Sequence, residues 1–153
     1  MSRLSNKKRY PILGTDILCS SKSEAIVGMG LLQFGYKFIH DKKYPYKDTS
    51  LQFDFMILNA KESTENFNPE SHHVFIEVKD DDTKYIDDLQ EKRNLVNAND
   101  DVLLIITDKD TKYLKENVEE AIKIKNLKGK IKALEYENIK LKALLKKNNI
   151  NIK

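Results

Sequence analysis

One stretch of the sequence limits the fold more than any other, the six residues VLLIIT at 102–107. A strand with one face in water alternates apolar and polar side chains, whereas this run is apolar over almost its whole length. Such a strand is covered on both faces of its sheet, and helices are the usual cover. The run therefore predicts an α/β protein.

The segments around this strand supply the rest of an α/β domain. Helical patterns are predicted at 20–35 and 83–96, and strands at 36–46, 51–58 and 73–79. The resulting order is α-β-β-β-α-β, followed by a long helical pattern. The predicted fold class is α/β, with an αβββαβ core around a mixed central sheet and a long C-terminal helix.

The first predicted helix carries its own start and stop signals. Ser21 and Glu24 have the spacing of a capping box, and Gly35 suits the position after a helix end. Gly28 and Gly30 lie inside the helix and weaken it by about 1 kcal/mol each. Their presence predicts close packing of these two positions against a sheet or a nearby backbone.

Two carboxylates lie in predicted strands that are neighbours along the chain. Asp54 stands within LQFDFMIL, where Phe53 and Phe55 are assigned to the opposite face, and Glu77 stands near the end of VFIEVK. Pairing of the two strands brings the carboxylates together, and they repel unless a cation lies between them. Oxygen ligands suit Mg²⁺, and Lys79, on the face of Glu77, is placed to act on a water. This combination is suited to phosphodiester hydrolysis.

Each of these residues also has a purely structural interpretation. Glu24 would then be only the acidic half of a capping box, and Asp54 an edge-strand residue facing water. Glu77 and Lys79 would form an exposed ion pair worth less than about 1 kcal/mol.

The tripeptide Glu77-Val78-Lys79, preceded by Asp54 on another strand, resembles the signature of the PD-(D/E)XK superfamily, the restriction-endonuclease-like nucleases. The resemblance covers about residues 20 to 110 and implies the αβββαβ core. It also implies that Asp54, Glu77 and the carbonyl of Val78 bind the metal, with Lys79 at the nucleophilic water.

Two further positions bear on this resemblance. Glu24 matches a carboxylate that members often carry on the first helix, where it would assist through a second metal or a bound water. Phe53 departs from the signature, which has Pro at that position. The departure weakens the match at one residue of a short motif.

The resemblance implies an enzyme, a Mg²⁺-dependent DNA endonuclease for which Mn²⁺ substitutes. A homodimer of the restriction, homing, transposition or junction-resolving type is expected. The alternative is a non-catalytic DNA-binding or adaptor module with a nuclease fold that dimerises through a coiled coil.

The basic residues of the N-terminal arm are predicted to add sequence-independent contacts to DNA phosphates. On the second helix, the resemblance implies a contact with substrate or water, and a solvated helix face is the alternative. His40, His72 and His73 form no recognisable metal set and are assigned to the surface or to loops, while the acidic run 80–82 caps a helix or holds a second ion. The predicted DNA contacts are Lys7, Lys8, Arg9, Gln90, Lys92 and Arg93.

The C-terminal segment repeats its apolar residues with a spacing of three and four, as in a coiled coil. With Ile124 at heptad position a, Asn138 is the one polar residue at a, which fixes register and strand number, and Gly129 falls at f, taken as the solvent side. The pattern favours a parallel dimer. The alternatives are a helix packed on its own domain and a different partner chain. The predicted seam is Ile124, Leu127, Ile131, Leu134, Asn138, Leu141 and Leu145.

The predicted organisation has three parts, a basic N-terminal arm (1–19), a nuclease-like core (20–115) and the C-terminal helix (116–153). Residues 123–153 carry ten Lys and two Glu, so that a tail of charge +8 follows a body of charge −5. A single Cys excludes an internal disulfide, and no signal peptide or membrane-spanning run is evident. A cytoplasmic location is expected.

Overall fold

The computed structural model of the protein describes residues 8–44, 51–68, 71–79 and 86–148. Lys7 of the predicted DNA contacts and the acidic run 80–82 lie outside the described residues. Among the described residues, no helix has the length and apolar character needed to cross a membrane.

The described elements follow one another in the predicted order. From the first long helix to the last strand of the sheet the order is α-β-β-β-α-β, which confirms the α/β class and the long C-terminal helix. A short hairpin precedes this core, and a 3₁₀ helix (Asp108–Tyr113) leads into the last helix. The elements are β1 (Tyr10–Pro11), β2 (Leu18–Cys19), α1 (Lys22–Gln33), β3 (Phe38–Lys43), β4 (Gln52–Ile57), β5 (Val74–Lys79), α2 (Ile86–Ala98), β6 (Val102–Thr107) and α3 (Leu114–Lys147).

The central sheet is mixed and has the strand order β3-β4-β5-β6. The pairs β3–β4 and β4–β5 are antiparallel, and β5 and β6 are parallel. Parallel neighbours need a crossover, and α2 supplies it. The sheet therefore places the first residues of β4 beside the last residues of β5, and these two strands are its central pair.

Apolar clusters cover the sheet on both faces. On one face, α1 and α3 pack against residues that include Phe55 and Ile76. On the other, Val96 of α2 packs against a cluster that includes Phe75. Strand β6 contributes Leu104 to the first cluster and Leu103 to the second, which confirms the prediction that VLLIIT is covered on both sides.

Part of the segment predicted as a basic arm belongs to the core. Strands β1 and β2 form an antiparallel hairpin, and Ile12 and Cys19 are fully buried in it. A Cβ placed on Gly28 of α1 would lie 2.3 Å from Ile12 Cδ1, so this glycine admits the hairpin. The close packing predicted at Gly28 is confirmed, and the nearest atoms are side-chain atoms of Ile12 in the N-terminal segment and of Phe55 in the sheet rather than backbone atoms.

Candidate functional site

The carboxyl groups of Asp54 and Glu77 lie between β4 and β5, where the regular pairing of the two strands stops. The paired register runs from Ile57↔Val74 to Phe55↔Ile76, and the next two residues are Asp54 and Glu77. The backbone N–H of Asp54 donates to Glu77 Oε1 at 3.0 Å, and the backbone N–H of Val78 donates to Asp54 Oδ2 at 2.8 Å. Each carboxylate therefore satisfies a backbone donor of the opposite strand.

Asp54 also marks a break in the alternation of side chains along β4. Phe53 packs in the α2-side cluster, whereas Phe55 packs in the cluster beneath α1 and α3. The prediction that Phe53 and Phe55 share one face is therefore wrong. Asp41 of β3 lies opposite Asp54 in the register and has φ of 52°, so the backbone of β3 leaves the extended conformation at the same level.

Glu24 of α1 reaches the same region from one face of the sheet. Its backbone N–H donates to Ser21 Oγ at 3.1 Å, which forms the helix cap, while its side-chain Oε2 lies 2.7 Å from His40 Nε2. Glu24 is only 5% exposed. Burial opposes its ionisation, but hydrogen bonds to His40 and Asp54 lower the pKa of Glu24 overall. The role in capping belongs to its backbone, and the side chain belongs to the site.

Burial and neighbouring charges shift the pKa values of the site. Burial, followed by the charges of Glu77 and Glu24, raises the pKa of Asp54 from 3.8 to about 8. The hydrogen bond to Glu24 raises the pKa of His40 against the effect of burial. Asp54 therefore retains a proton near neutral pH unless a positive charge is added beside it.

The described residues contain two groups that could hold a metal ion, and both include Glu24. Glu24, Asp41 and Asp54 each offer a carboxylate oxygen within 4.8 Å of the other two. Cys19, Glu24 and His40 offer a second set at the same separation. Burial raises the pKa of the Cys19 thiol to about 12, so it is neutral, whereas the three carboxyl groups are the oxygen donors that hard divalent cations prefer.

Two lysines complete the site on the α2 side. Glu77 is only 2% exposed, and its Oε2 lies 3.1 Å from Lys92 Nζ and 3.5 Å from Lys79 Nζ. The side chain of Lys79 is 20% exposed and that of Lys92 is 10% exposed. The interpretation of Glu77 and Lys79 as an exposed pair is wrong, because the carboxylate is buried.

Comparison of the chain with protein-family models, with curated proteins and with solved structures finds no match.

The remaining predicted DNA contacts are dispersed. Of the three on α2, Lys92 enters the site, Gln90 is exposed and donates to Asn94 Oδ1 at 2.9 Å, and Arg93 is exposed. The solvated-face alternative therefore fits Gln90 and Arg93 but not Lys92. Lys8 and Arg9 are exposed before β1.

Sequence reasoning missed His40 and Asp41, the two β3 residues beside Glu24 and Asp54. The prediction that His40 lies at the surface or in a loop is wrong, because its side chain on β3 is 10% exposed and its Nε2 lies 2.7 Å from Glu24 Oε2. Only the β3–β4 register, with His40↔Phe55 and Lys42↔Phe53, reveals this placement.

The other two histidines lie away from the site. The assignment of His73 to the surface or a loop is wrong, because it is fully buried with Nε2 2.9 Å from Glu62 Oε1. His72 is partly buried, and its Nδ1 lies 3.9 Å from Asp101 Oδ1.

Proposed function

We propose that this chain is a Mg²⁺-dependent endonuclease that hydrolyses phosphodiester bonds of DNA, with Mn²⁺ as a substitute cation. The observation that carries the proposal is the meeting of three carboxyl groups with two lysines where β4 and β5 separate. Glu24, Asp54 and Glu77 are the carboxyl groups, and Lys79 and Lys92 are the lysines. A structural role alone would not require so much like charge in one place.

The donor set fits a hard divalent cation. Glu24, Asp41 and Asp54 each offer a carboxylate oxygen within 4.8 Å of the other two, and burial, followed by the charges of Glu77 and Glu24, raises the pKa of Asp54. Asp41 is exposed, so the group is open to solvent on one side. The resemblance to the PD-(D/E)XK signature adds Glu77 and the carbonyl of Val78 to the proposed ligands.

Each of the two lysines, Lys79 and Lys92, has a different proposed role. A bound Mg²⁺ supplies Lewis acidity toward a phosphate oxygen and a water. Lys92 is the more buried amine and lies closer to Glu77, so it orients that carboxylate. Lys79 is more exposed and is placed to position the attacking water and to stabilise negative charge on the phosphate.

The fold supports the proposal without carrying it. The element order α1-β3-β4-β5-α2-β6 is the order that the resemblance implies, and the two motif strands, β4 and β5, are adjacent in the sheet. We therefore propose that the core is restriction-endonuclease-like. One such site cuts one strand, so cutting both strands of a duplex requires two sites.

The test is cleavage of supercoiled, linear, branched and single-stranded DNA by the full chain. We expect cleavage with Mg²⁺ or Mn²⁺, none with EDTA, and a loss of at least about 100-fold in Asp54→Asn and in Lys79→Ala. Lys43→Ala, a change of an exposed lysine on β3, is the matched control. Robust cleavage without divalent cation, or full activity in both site variants, would refute the proposal.

Calorimetry with Mn²⁺ separates this function from the non-catalytic alternative. Binding that is lost in Asp54→Asn and kept in Glu65→Gln, an exposed loop residue, supports a functional metal site. A chain that binds DNA but shows no Mn²⁺ binding dependent on Asp54 would be an adaptor module instead.

A further inference from the structure

Helix α3 uses one side to join the domain along its first half. Leu114, Val118 and Ala121 are buried in the core. Beyond Ala121, the same side of the helix carries polar anchors, which are lysines that bind the domain through hydrogen bonds. In the heptad that places Ile124 at a, the three core residues occupy positions b and e.

The polar anchors extend this attachment by three more turns. Lys125 Nζ donates to Asn59 Oδ1, Lys128 Nζ donates to the carbonyl of Asp101 at 2.9 Å, and Lys132 Nζ donates to Asp100 Oδ2 at 2.8 Å. These lysines occupy positions b, e and b.

Gly129, at position f, belongs to the same attached side. A Cβ added to it would lie 3.8 Å from the ring of His72. The prediction that Gly129 faces solvent is therefore wrong, because position f faces the domain.

The predicted seam lies on another side of the helix and is uncovered. Its first four residues, Ile124, Leu127, Ile131 and Leu134, are 41%, 56%, 55% and 64% exposed. Further along, Leu141 is 53% exposed and Asn138 is exposed, while Leu145 is partly exposed. The alternative in which this stripe packs on its own domain is wrong for these residues.

The charges beside the seam fit a second copy of the same chain in parallel orientation. In that arrangement position g of one helix faces the next e of its partner. Lys130 then meets Glu135 and Glu137 meets Lys142, and both pairs are opposite in sign. Lys123 meets Lys128 as the one like-charged pair, and the Lys128 ammonium is hydrogen-bonded to the carbonyl of Asp101 in its own domain.

We propose that two copies of this chain associate through α3 as a parallel two-stranded coiled coil that begins at Ile124. Positions b, e and f hold each helix to its own domain, so the two domains flank the start of the coil at the same end. The seam spans about 22 residues, or roughly 33 Å. It does not depend on the proposed nuclease function.

Sedimentation of the full chain tests this association with a matched pair of variants. Ile131 is a seam residue, whereas Ile139, at b, is 68% exposed and lies outside the seam. At on the order of 100 µM, where an interface with Kd of about 10 µM is mostly formed, we expect wild type and Ile139→Lys to have twice the chain mass of 17.8 kDa. Ile131→Lys should have the mass of one chain.

Circular dichroism and thermal unfolding should show that all three proteins are folded. A wild type of single-chain mass, or an Ile131→Lys variant that keeps the double mass, would overturn the proposal. Asp54→Asn should keep the double mass whatever its activity, which separates failure of this inference from failure of the nuclease proposal.

Orientation is tested with a cysteine on the seam. Cys19 is the only cysteine of the chain and is fully buried, so Asn138→Cys introduces one accessible thiol. In a parallel in-register coil, residue 138 faces its own copy, and mild oxidation should give a disulfide-linked dimer. A dimer by mass that forms no such crosslink would be antiparallel and would refute the parallel arrangement.

Discussion

The raised pKa of Asp54 makes stability depend on pH in a direction that is unusual for a carboxyl group. Asp54 titrates near 8 in the folded chain against an ordinary value of 3.8, because of burial and then the charge of Glu77. The folded state therefore binds this proton more tightly than the unfolded state does. Between about pH 4 and pH 8 the unfolded state has lost the proton and the folded state retains it, so stability falls as pH rises.

The expected change in the free energy of unfolding follows from the interval between the two pH values at which it is measured. From pH 5 to pH 8 the folded state holds an extra proton over three pH units, which at 1.36 kcal/mol each gives about 4 kcal/mol as an upper bound. Asp54 is half-buried rather than fully buried, and access of water reduces the figure. We expect a loss of about 2 kcal/mol in the free energy of unfolding.

The assay is urea unfolding of wild type and Asp54→Asn in EDTA at pH 5 and pH 8. Asparagine keeps the shape and an acceptor for the Val78 N–H but cannot ionise. From pH 5 to pH 8 the free energy of unfolding of wild type should therefore fall by about 2 kcal/mol more than that of the variant. Asp16→Asn, in the exposed β1–β2 turn, controls for a carboxylate lost elsewhere.

An equal difference between variant and wild type at both pH values would refute the reasoning. Addition of Mn²⁺ supplies a second comparison. A cation bound by the ionised carboxylates should stabilise wild type more at pH 8 than at pH 5, and should leave Asp54→Asn largely unaffected.

Two further predictions concern single side chains. Lys92→Ala removes the nearer amine of the buried Glu77 and should lower the free energy of unfolding in urea by about 2 kcal/mol. Lys61→Ala, in an exposed loop, is the control and should change it by no more than about 0.5 kcal/mol. Equal effects of the two changes would contradict the buried pairing. Gly28→Ala inserts a methyl group 2.3 Å from a buried side-chain carbon and should lower Tm despite better helix propensity, whereas Gly129→Ala, with 3.8 Å of clearance, should raise Tm.

Much of the sheet could be predicted, because its strands carry strong local signals. VLLIIT is apolar on both sides, and the observed strand has the predicted bounds, Val102–Thr107. The start of α1 followed from Ser21, whose side chain accepts from the backbone of Glu24. These features depend on residues close together in the chain.

The features that were missed depend on residues far apart in the chain. Asp41 meets Asp54 only through the β3–β4 register, and its left-handed φ leaves no mark in the sequence. Lys92 looks like any surface lysine on a helix until α2 is placed over Phe53, whose ring centroid lies 5.5 Å from its Nζ. Gly129 faces His72 rather than solvent, and a heptad pattern cannot predict this because it gives the seam but not the position of the attached domain.

The exchange of hydrogen bonds between Asp54 and Glu77 has a consequence for the history of such a protein. Each side chain satisfies a main-chain N–H of the other's strand, at Val78 and at Asp54. Under the proposed nuclease function, a descendant that had given up the chemistry would still be selected to keep an acceptor at both positions, because a shorter apolar side chain would leave a partly buried donor unpaired. Persistence of these two residues among relatives would therefore testify to folding as much as to catalysis, whereas Lys79 satisfies no such main-chain donor. Among these residues, loss of that lysine would be the clearer sign of an enzyme that had become a binding protein.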